Sequence, residues 1–211
     1  KKKKRTMQIA FAESQTRLNL MRAFAGESQA RNRYTFAAEA ANQAQLYVIK
    51  AVFQLTASQE LAHAKVFYDL LKELNGQNVT VDGTYPVEVL TEVLPLLQHA
   101  QHNEFQEFDP VYPQFGQIAA QEGFTQAAAA FQQIAKIEKT HGERFGLFAQ
   151  WMESGKLFVN ETPTKWMCLN CGHIVDSTEA PHICPVCSHP QGYFVRQAYA
   201  PYTTGVAQAG G

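Results

Sequence analysis

The chain has 211 residues, 45% of them hydrophobic, and its 18 lysines and arginines against 19 aspartates and glutamates give a formal net charge of −1. That is enough apolar material for a substantial core in one or two domains, and near-neutrality removes any global electrostatic basis for binding nucleic acid or anionic lipid. No apolar run approaches the ~20 residues that span a bilayer, and the basic start lacks a signal-peptide apolar core, so a cytoplasmic protein with no membrane or nucleic-acid partner is expected.

In chain order, Lys1 to Arg5 reads as a solvated basic terminus, because no basic face continues from it. Residues 1–13 are set aside as a tail. From Ser14 to Ser154 the chain is rich in helix-forming residues with apolar positions at helical spacing, which predicts four long helices. The first spans about Ser14 to Asn42 and the second about Leu46 to Leu74, stopped by Asn75-Gly76. A crossover containing Gly83, Pro86 and Pro95 follows, with at most a short helix. The third helix ends near Glu122-Gly123, and the fourth runs to about Met152. Short connections with one long crossover describe an all-α four-helix bundle of the ferritin type.

Each helix carries a glutamate on its apolar stripe. Leu20, Glu27 and Tyr34 are spaced by seven; so are Phe53, Glu60 and Phe67, then Leu97, Glu104 and Val111, then Phe131, Glu138 and Phe145. His63 lies one turn from Glu60, Glu107 one turn from Glu104 and His141 one turn from Glu138. Glu27 precedes Glu60-x-x-His63 by 33 residues, and Glu104 precedes Glu138-x-x-His141 by 34, so two helix hairpins of one design face each other. Buried carboxylates without compensation each cost several kcal/mol and repel one another. A pair of metal ions bridged by two carboxylates and each capped by a histidine supplies that compensation. Pairing with Arg31, Arg33 or Arg144 is the plainer alternative, but it leaves both histidines unexplained.

After Gly155 helical periodicity stops, prolines accumulate, and Lys165-Trp166-Met167 and Tyr193-Phe194-Val195 read as short strands. Residues 163–200 form a second, small β and loop domain, too small to fold on apolar burial alone. It holds all four cysteines, as Cys168-x-x-Cys171 and Cys184-x-x-Cys187. Two such knuckles present four thiolates tetrahedrally to one metal, and the spacing alone fits zinc or iron. Trp166, Tyr193 and Phe194 shield that metal or form the domain's core. Residues 201–211 read as a disordered tail.

With these residues assembled, the chain resembles the rubrerythrin family from Leu18 to Arg196. The segments that carry the resemblance are Ala23 to Tyr34, Gln59-Glu60-Leu-Ala-His63-Ala, Glu104-Phe-Gln-Glu107 leading to Tyr112-Pro113, Glu138-Lys-Thr-His141 and the two cysteine knuckles. The resemblance implies two irons in a carboxylate-bridged site and one iron in a rubredoxin-like four-cysteine site. It implies that Glu60 and Glu104 bridge the pair, that Glu27 binds the first iron, and that Glu138 and His141 bind the second. It further implies that His63 binds the first iron in the reduced state and Glu107 in the oxidised state. Tyr34 and Tyr112 match tyrosines that hydrogen-bond around the centre, and with Glu107 they are the expected catalytic residues.

The implied activity is reduction of hydrogen peroxide to water, with electrons relayed through the cysteine-bound iron, as protection against oxidative stress. No Gly-x-Gly-x-x-Gly fingerprint occurs, so NAD(P)H-linked electrons would arrive through a separate reductase or rubredoxin. A homodimer is the implied catalytic unit. The alternatives are a ferritin-type ferroxidase for iron storage and a binding module with a structural zinc ribbon.

Overall fold

The computed structural model describes residues 9–202. The basic run Lys1 to Arg5 and the tail beyond Tyr202 lie outside the described residues. Five helices and three strands follow one another: α1 (Gln15–Gln43), α2 (Tyr47–Asp69), α3 (Val93–Gln106), α4 (Tyr112–Glu122), α5 (Thr125–Glu153), β1 (Val159–Cys168), β2 (Ile174–Glu179) and β3 (Phe194–Arg196).

Ser14 caps α1, its hydroxyl accepting from the Arg17 amide at 3.1 Å. The next two free amides, of Gln15 and Thr16, donate to the Glu122 carboxylate at the far end of α4, which ties the start of one helix to the end of another. α1 and α2 form one hairpin, joined by a turn in which Gln45 takes a positive φ of 60°. α5 packs along both α3 and α4, and the segment between Asn75 and Glu92 crosses over without helix or strand.

Two expectations for the helices need correction. α2 stops at Asp69, where the chain tightens into a 3-10 turn at Lys72–Leu74 before Gly76. The expected third helix is two helices, α3 and α4, separated by a π-helical segment at Glu107–Val111 with Asp109 in an extended conformation. Pro110 has no amide to donate there, so the i to i−4 ladder is interrupted and the turn widens. The widening inserts one residue. The inward position one heptad after Glu104 is therefore filled by Tyr112, which is 2% exposed, and not by Val111.

The heptad neighbours of the glutamates form two apolar layers. Tyr34, Phe53, Leu97 and Phe145 belong to one buried cluster, with ring centroids of Phe53 and Phe145 5.1 Å apart. Leu20, Phe67, Tyr112 and Phe131 belong to the other, with Phe67 and Phe131 at 4.9 Å. The four carboxylates lie between them, so water is excluded from both ends of the layer.

The three strands form an antiparallel sheet in the order β2-β1-β3, with the β1 register irregular between Val159 and Thr164, where Pro163 falls. The sheet seats on the end of the bundle. Gly192 approaches the α1–α2 turn so closely that a Cβ there would lie 1.9 Å from the Gln45 carbonyl. Tyr193 stacks on Tyr47 at 4.1 Å, and the Arg196 guanidinium sits 4.0 Å from the ring centroid of Trp151 and 4.9 Å from that of Trp166.

Candidate metal centres

Glu27, Glu60, Glu104, Glu138 and His141 are fully buried, and His63 is 7% exposed. Two groups of potential ligands overlap here. Glu27, Glu60, His63 and Glu138 form one; Glu60, Glu104, Glu138 and His141 form the other, with the ligand atoms of each group all within 4.8 Å of one another. Glu60 and Glu138 belong to both groups. Glu27 belongs only to the His63 group, and Glu104 only to the His141 group.

This corrects the expectation that Glu60 and Glu104 are shared. The physical reason lies in the repeat. A pseudo-twofold relation between the hairpins carries Glu60-x-x-His63 onto Glu138-x-x-His141 and Glu27 onto Glu104. Shared positions must therefore be an equivalent pair, Glu60 with Glu138, and terminal positions the other equivalent pair. The tyrosines obey the same relation: Tyr112 donates to Glu27 Oε1 at 2.5 Å, and Tyr34 donates to Glu104 Oε1.

The distances within each group suit a metal and not a hydrogen-bonded core. His141 Nδ1 is 2.8 Å from Glu60 Oε1, 3.0 Å from Glu138 Oε2 and 3.4 Å from Glu104 Oε2. His63 Nδ1 is 2.9 Å from Glu138 Oε1 and 3.4 Å from Glu60 Oε2. Yet both Nδ1 atoms, both oxygens of Glu60 and Glu138, and one oxygen each of Glu27 and Glu104 lack any hydrogen bond of acceptable geometry. The close approach arises because these atoms converge on common points. Ligand atoms about 2.1 Å from one ion stand about 3 Å apart in an octahedral arrangement, which is the spacing seen.

Among the described residues no arginine forms an ion pair with the cluster, although Arg144 lies close enough to feel the charges of Glu104 and Glu60. Arg33 pairs with Glu88 at 3.0 Å, Arg144 donates to Thr56 and Gln59, and Arg31 is exposed. Glu107 joins neither group; its Oε1 faces Gly26, 3.9 Å from where a Cβ there would stand. Of the two alternatives at the first position, the structure thus brings His63 in and leaves Glu107 out.

Without metal the cluster holds protons. Burial, then the charges of Glu138 and Glu60, push Glu27 well above the usual carboxylate range; burial and the Glu60 charge do the same to Glu104. Burial disfavours the charged imidazole of His141, but the carboxylates of Glu104, Glu138 and Glu60 outweigh it and raise the ring to about 11. His63 is raised likewise, Glu138 acting most strongly after burial. Ligation requires carboxylate and neutral imidazole, so metal binding must displace these protons. Loading the metal-free protein with ferrous ion in weak buffer at neutral pH is expected to release roughly two to four protons per chain. Affinity should fall as pH drops, since Glu27, Glu104, His63 and His141 are all held toward their protonated forms, while Glu60, drawn down by its hydrogen bonds, stays charged. Loading without proton release, followed by pH-stat titration, would contradict this account.

In the small domain, Cys168 and Cys187 sulfurs are 3.8 Å apart, and those of Cys171 and Cys184 3.7 Å. Four sulfurs about 2.3 Å from one ion form a tetrahedron with edges of about 3.8 Å. The two knuckles repeat one backbone pattern: Gly172 N to Cys168 O and Cys168 N to His173 O in the first, Ser188 N to Cys184 O and Cys184 N to His189 O in the second. The last position of each needs a positive φ, supplied by Gly172 at 79° and Ser188 at 60°. Burial raises the Cys168 thiol to about 12, whereas Cys187, despite burial, is drawn down to about 6 by the His189 amide and neighbouring thiols.

A ferritin-like bundle with a carboxylate and histidine di-iron site, carrying a rubredoxin-like four-cysteine site on its end, defines the class of non-haem iron proteins to which these features belong. The family model described as rubrerythrin matches residues 19–148, and that described as rubrerythrin, rubredoxin-like domain matches residues 166–195. The chain belongs to the rubrerythrin family. It is 44% identical over 182 residues to rubrerythrin of Clostridium perfringens, covering 86% of this chain and 93% of that protein. Among solved structures, partially reduced nigerythrin superposes with a TM-score of 0.60 at 27% identity over 88% of this chain and 90% of that one. Bacterioferritin of Desulfovibrio desulfuricans, at 21% identity and a TM-score of 0.60 over 67% of this chain and 81% of that one, shares the bundle fold.

Proposed function

We propose that the chain is a peroxidase that reduces hydrogen peroxide to two waters, taking two electrons and two protons per peroxide. The observation that carries this reading is the pairing, in one chain, of a buried carboxylate and histidine cluster with a separate four-cysteine site. The two ligand groups would hold a ferrous pair, which when bound would supply two electrons and Lewis acidity. In this reading Glu60 and Glu138 hold the pair together, Glu27 and His63 bind one ion, and Glu104 and His141 the other. Glu107 is the alternative ligand to His63, and its carboxyl, raised by burial and by the charge of Glu104, is a proton source beside the centre. Tyr34 and Tyr112 orient the terminal carboxylates through their hydroxyls, while the two aromatic layers keep water out.

Cys168, Cys171, Cys184 and Cys187 would hold one further iron, which would supply one-electron redox chemistry beside the two-electron centre. Cys171 is exposed, so a reductase or rubredoxin drawing on NAD(P)H has an edge to dock against. Within one chain the small domain seats at the α1–α2 turn, and Glu60 lies 13 residues along α2 from Tyr47, about 20 Å of helix. That span favours transfer between copies, with the cysteine site of one chain beside the cluster of another in a homodimer. No described helix is long and apolar enough to cross a membrane, and we place the protein in the cytoplasm as an oxidative-stress defence.

A storage role would share the bundle but give the cysteine site no task. Anaerobic turnover with excess donor separates the two. The peroxidase reading expects two electrons consumed per peroxide at constant iron per chain; iron accumulating with turnover, and no electron uptake from donor, would replace it with ferroxidase and storage.

A further inference from the structure

The relation that carries Glu60-x-x-His63 onto Glu138-x-x-His141 advances each residue of α2 by 78 positions into α5, and it also matches Phe53 with Phe131 and Phe67 with Phe145. It fails at three positions beside the histidines. Thr56 and Gln59 correspond to Ile134 and Ile137, and Arg144 corresponds to Val66. These exceptions gather in two places. Arg144 Nη1 donates to Thr56 Oγ1 and to Gln59 Oε1, both at 2.9 Å, so the three polar residues meet across the α2–α5 interface, one turn along α5 from His141. Their apolar counterparts Val66, Ile134 and Ile137 line one cavity of about 1070 Å³ together with His63. One half of the cluster is thus flanked by an arginine and its hydrogen-bond partners, and the other by an apolar cleft.

We propose that Arg144 makes the two metal positions electrostatically unequal: it raises the reduction potential of an iron held by the His141 group above that of an iron held by the His63 group, so a pair that has lost one electron carries its ferric ion on the His63 side. The proposal rests on the iron pair of the functional reading and goes beyond it, since reduction of peroxide needs only that the pair exist.

The charge on Arg144 has no counterion of its own. Its hydrogen-bond partners are neutral, whereas Arg33 is paired with Glu88 at 3.0 Å. The carboxylates whose charges act on Arg144 are Glu104, which belongs only to the His141 group, and Glu60, which both groups share. Thr56 and His141 are fully buried and Arg144 is only partly exposed, so little water intervenes to screen the charge. A unit charge in such surroundings acts at several times its strength in water. Oxidation of a ferrous ion adds one positive charge, and a neighbouring cation opposes that addition. On the His63 side the equivalent position holds the uncharged, exposed Val66.

The test is a stepwise redox titration of the iron-loaded protein with dithionite and ferricyanide, in which electron paramagnetic resonance follows the half-oxidised pair and visible absorption follows the cysteine-site iron separately. Each step moves one electron between the pair and the titrant. Arg144→Gln should lower the higher of the pair's two midpoint potentials more than the lower. The equilibrium constant that favours the half-oxidised pair over a mixture of fully oxidised and fully reduced pairs should fall by about tenfold, which is about 59 mV of separation, and the half-oxidised signal should shrink with it. Arg144→Lys keeps the charge and should keep the separation. Val66→Arg places a cation at the equivalent position and should narrow the separation from the other side, by raising the lower potential. Arg144→Gln combined with Val66→Arg should widen it again, which a mere loss of the hydrogen bonds to Thr56 and Gln59 would not allow. An unchanged separation in Arg144→Gln, or an equal loss in Arg144→Lys, would overturn the proposal. Potentials that shift as described in a protein that reduces no peroxide would support the proposal and sink the peroxidase reading alone.

Discussion

Glu138→Ala is expected to empty both metal positions in the bundle, leaving about one iron per chain, in the cysteine site, where the intact protein holds about three. Glu138 contributes to both ligand groups, so its loss leaves each with three members and removes one of the two carboxylates that hold the ions together. Glu104→Ala provides the contrast. Glu104 belongs only to the His141 group, and its removal should leave the Glu27, Glu60, His63 and Glu138 group intact, with about two irons per chain. The fold should survive both changes, because deleting one carboxylate from a cluster of buried like charges removes a desolvation cost from the metal-free state. Circular dichroism and iron analysis on the same samples check this. Equal losses in the two variants would contradict the shared role of Glu138.

The second large effect is expected from Cys171→Ser. A serine hydroxyl is a poor substitute for a thiolate, so the four-sulfur site is disrupted while the bundle, whose core is separate, keeps its pair of irons. Steady turnover driven by an external donor should fall by at least about a hundredfold. A single oxidation of chemically pre-reduced bundle iron by peroxide should keep its wild-type rate. Retained steady turnover would mean that electrons reach the pair by another route. A slowed single oxidation would mean that the cysteine site does more than relay.

Much of this arrangement is legible in the sequence because it rests on strict periodicity. Glu60 and Glu138 stand a heptad from Phe53, Phe67, Phe131 and Phe145, and those aromatics belong to the two layers that enclose the cluster. The cysteine spacing likewise specifies a tetrahedron before any coordinates are drawn. Other features depend on departures from periodicity. Pro110 marks the break in the third helix, but the widened turn that advances Tyr112 into the place of Val111 follows from backbone accommodation around a missing donor. The second strand, Ile174–Glu179, carries Asp176, Ser177 and Thr178 and has little apolar alternation to reveal it; its partner β1 specifies it.

The sharing of Glu138 was within reach of the sequence. The repeat of Glu and Glu-x-x-His already requires equivalent roles for equivalent residues, and only Glu60 with Glu138, or Glu27 with Glu104, satisfies that symmetry.

The central claim, that a two-electron carboxylate centre is refilled one electron at a time by a cysteine-bound iron, is tested most directly by rapid mixing of the fully reduced protein with substoichiometric hydrogen peroxide under anaerobic conditions. The visible absorption of ferric iron in the cysteine site should appear within the turnover time, in proportion to the peroxide added. Oxidation confined to the bundle iron, with the cysteine site remaining ferrous until dioxygen is admitted, would contradict it.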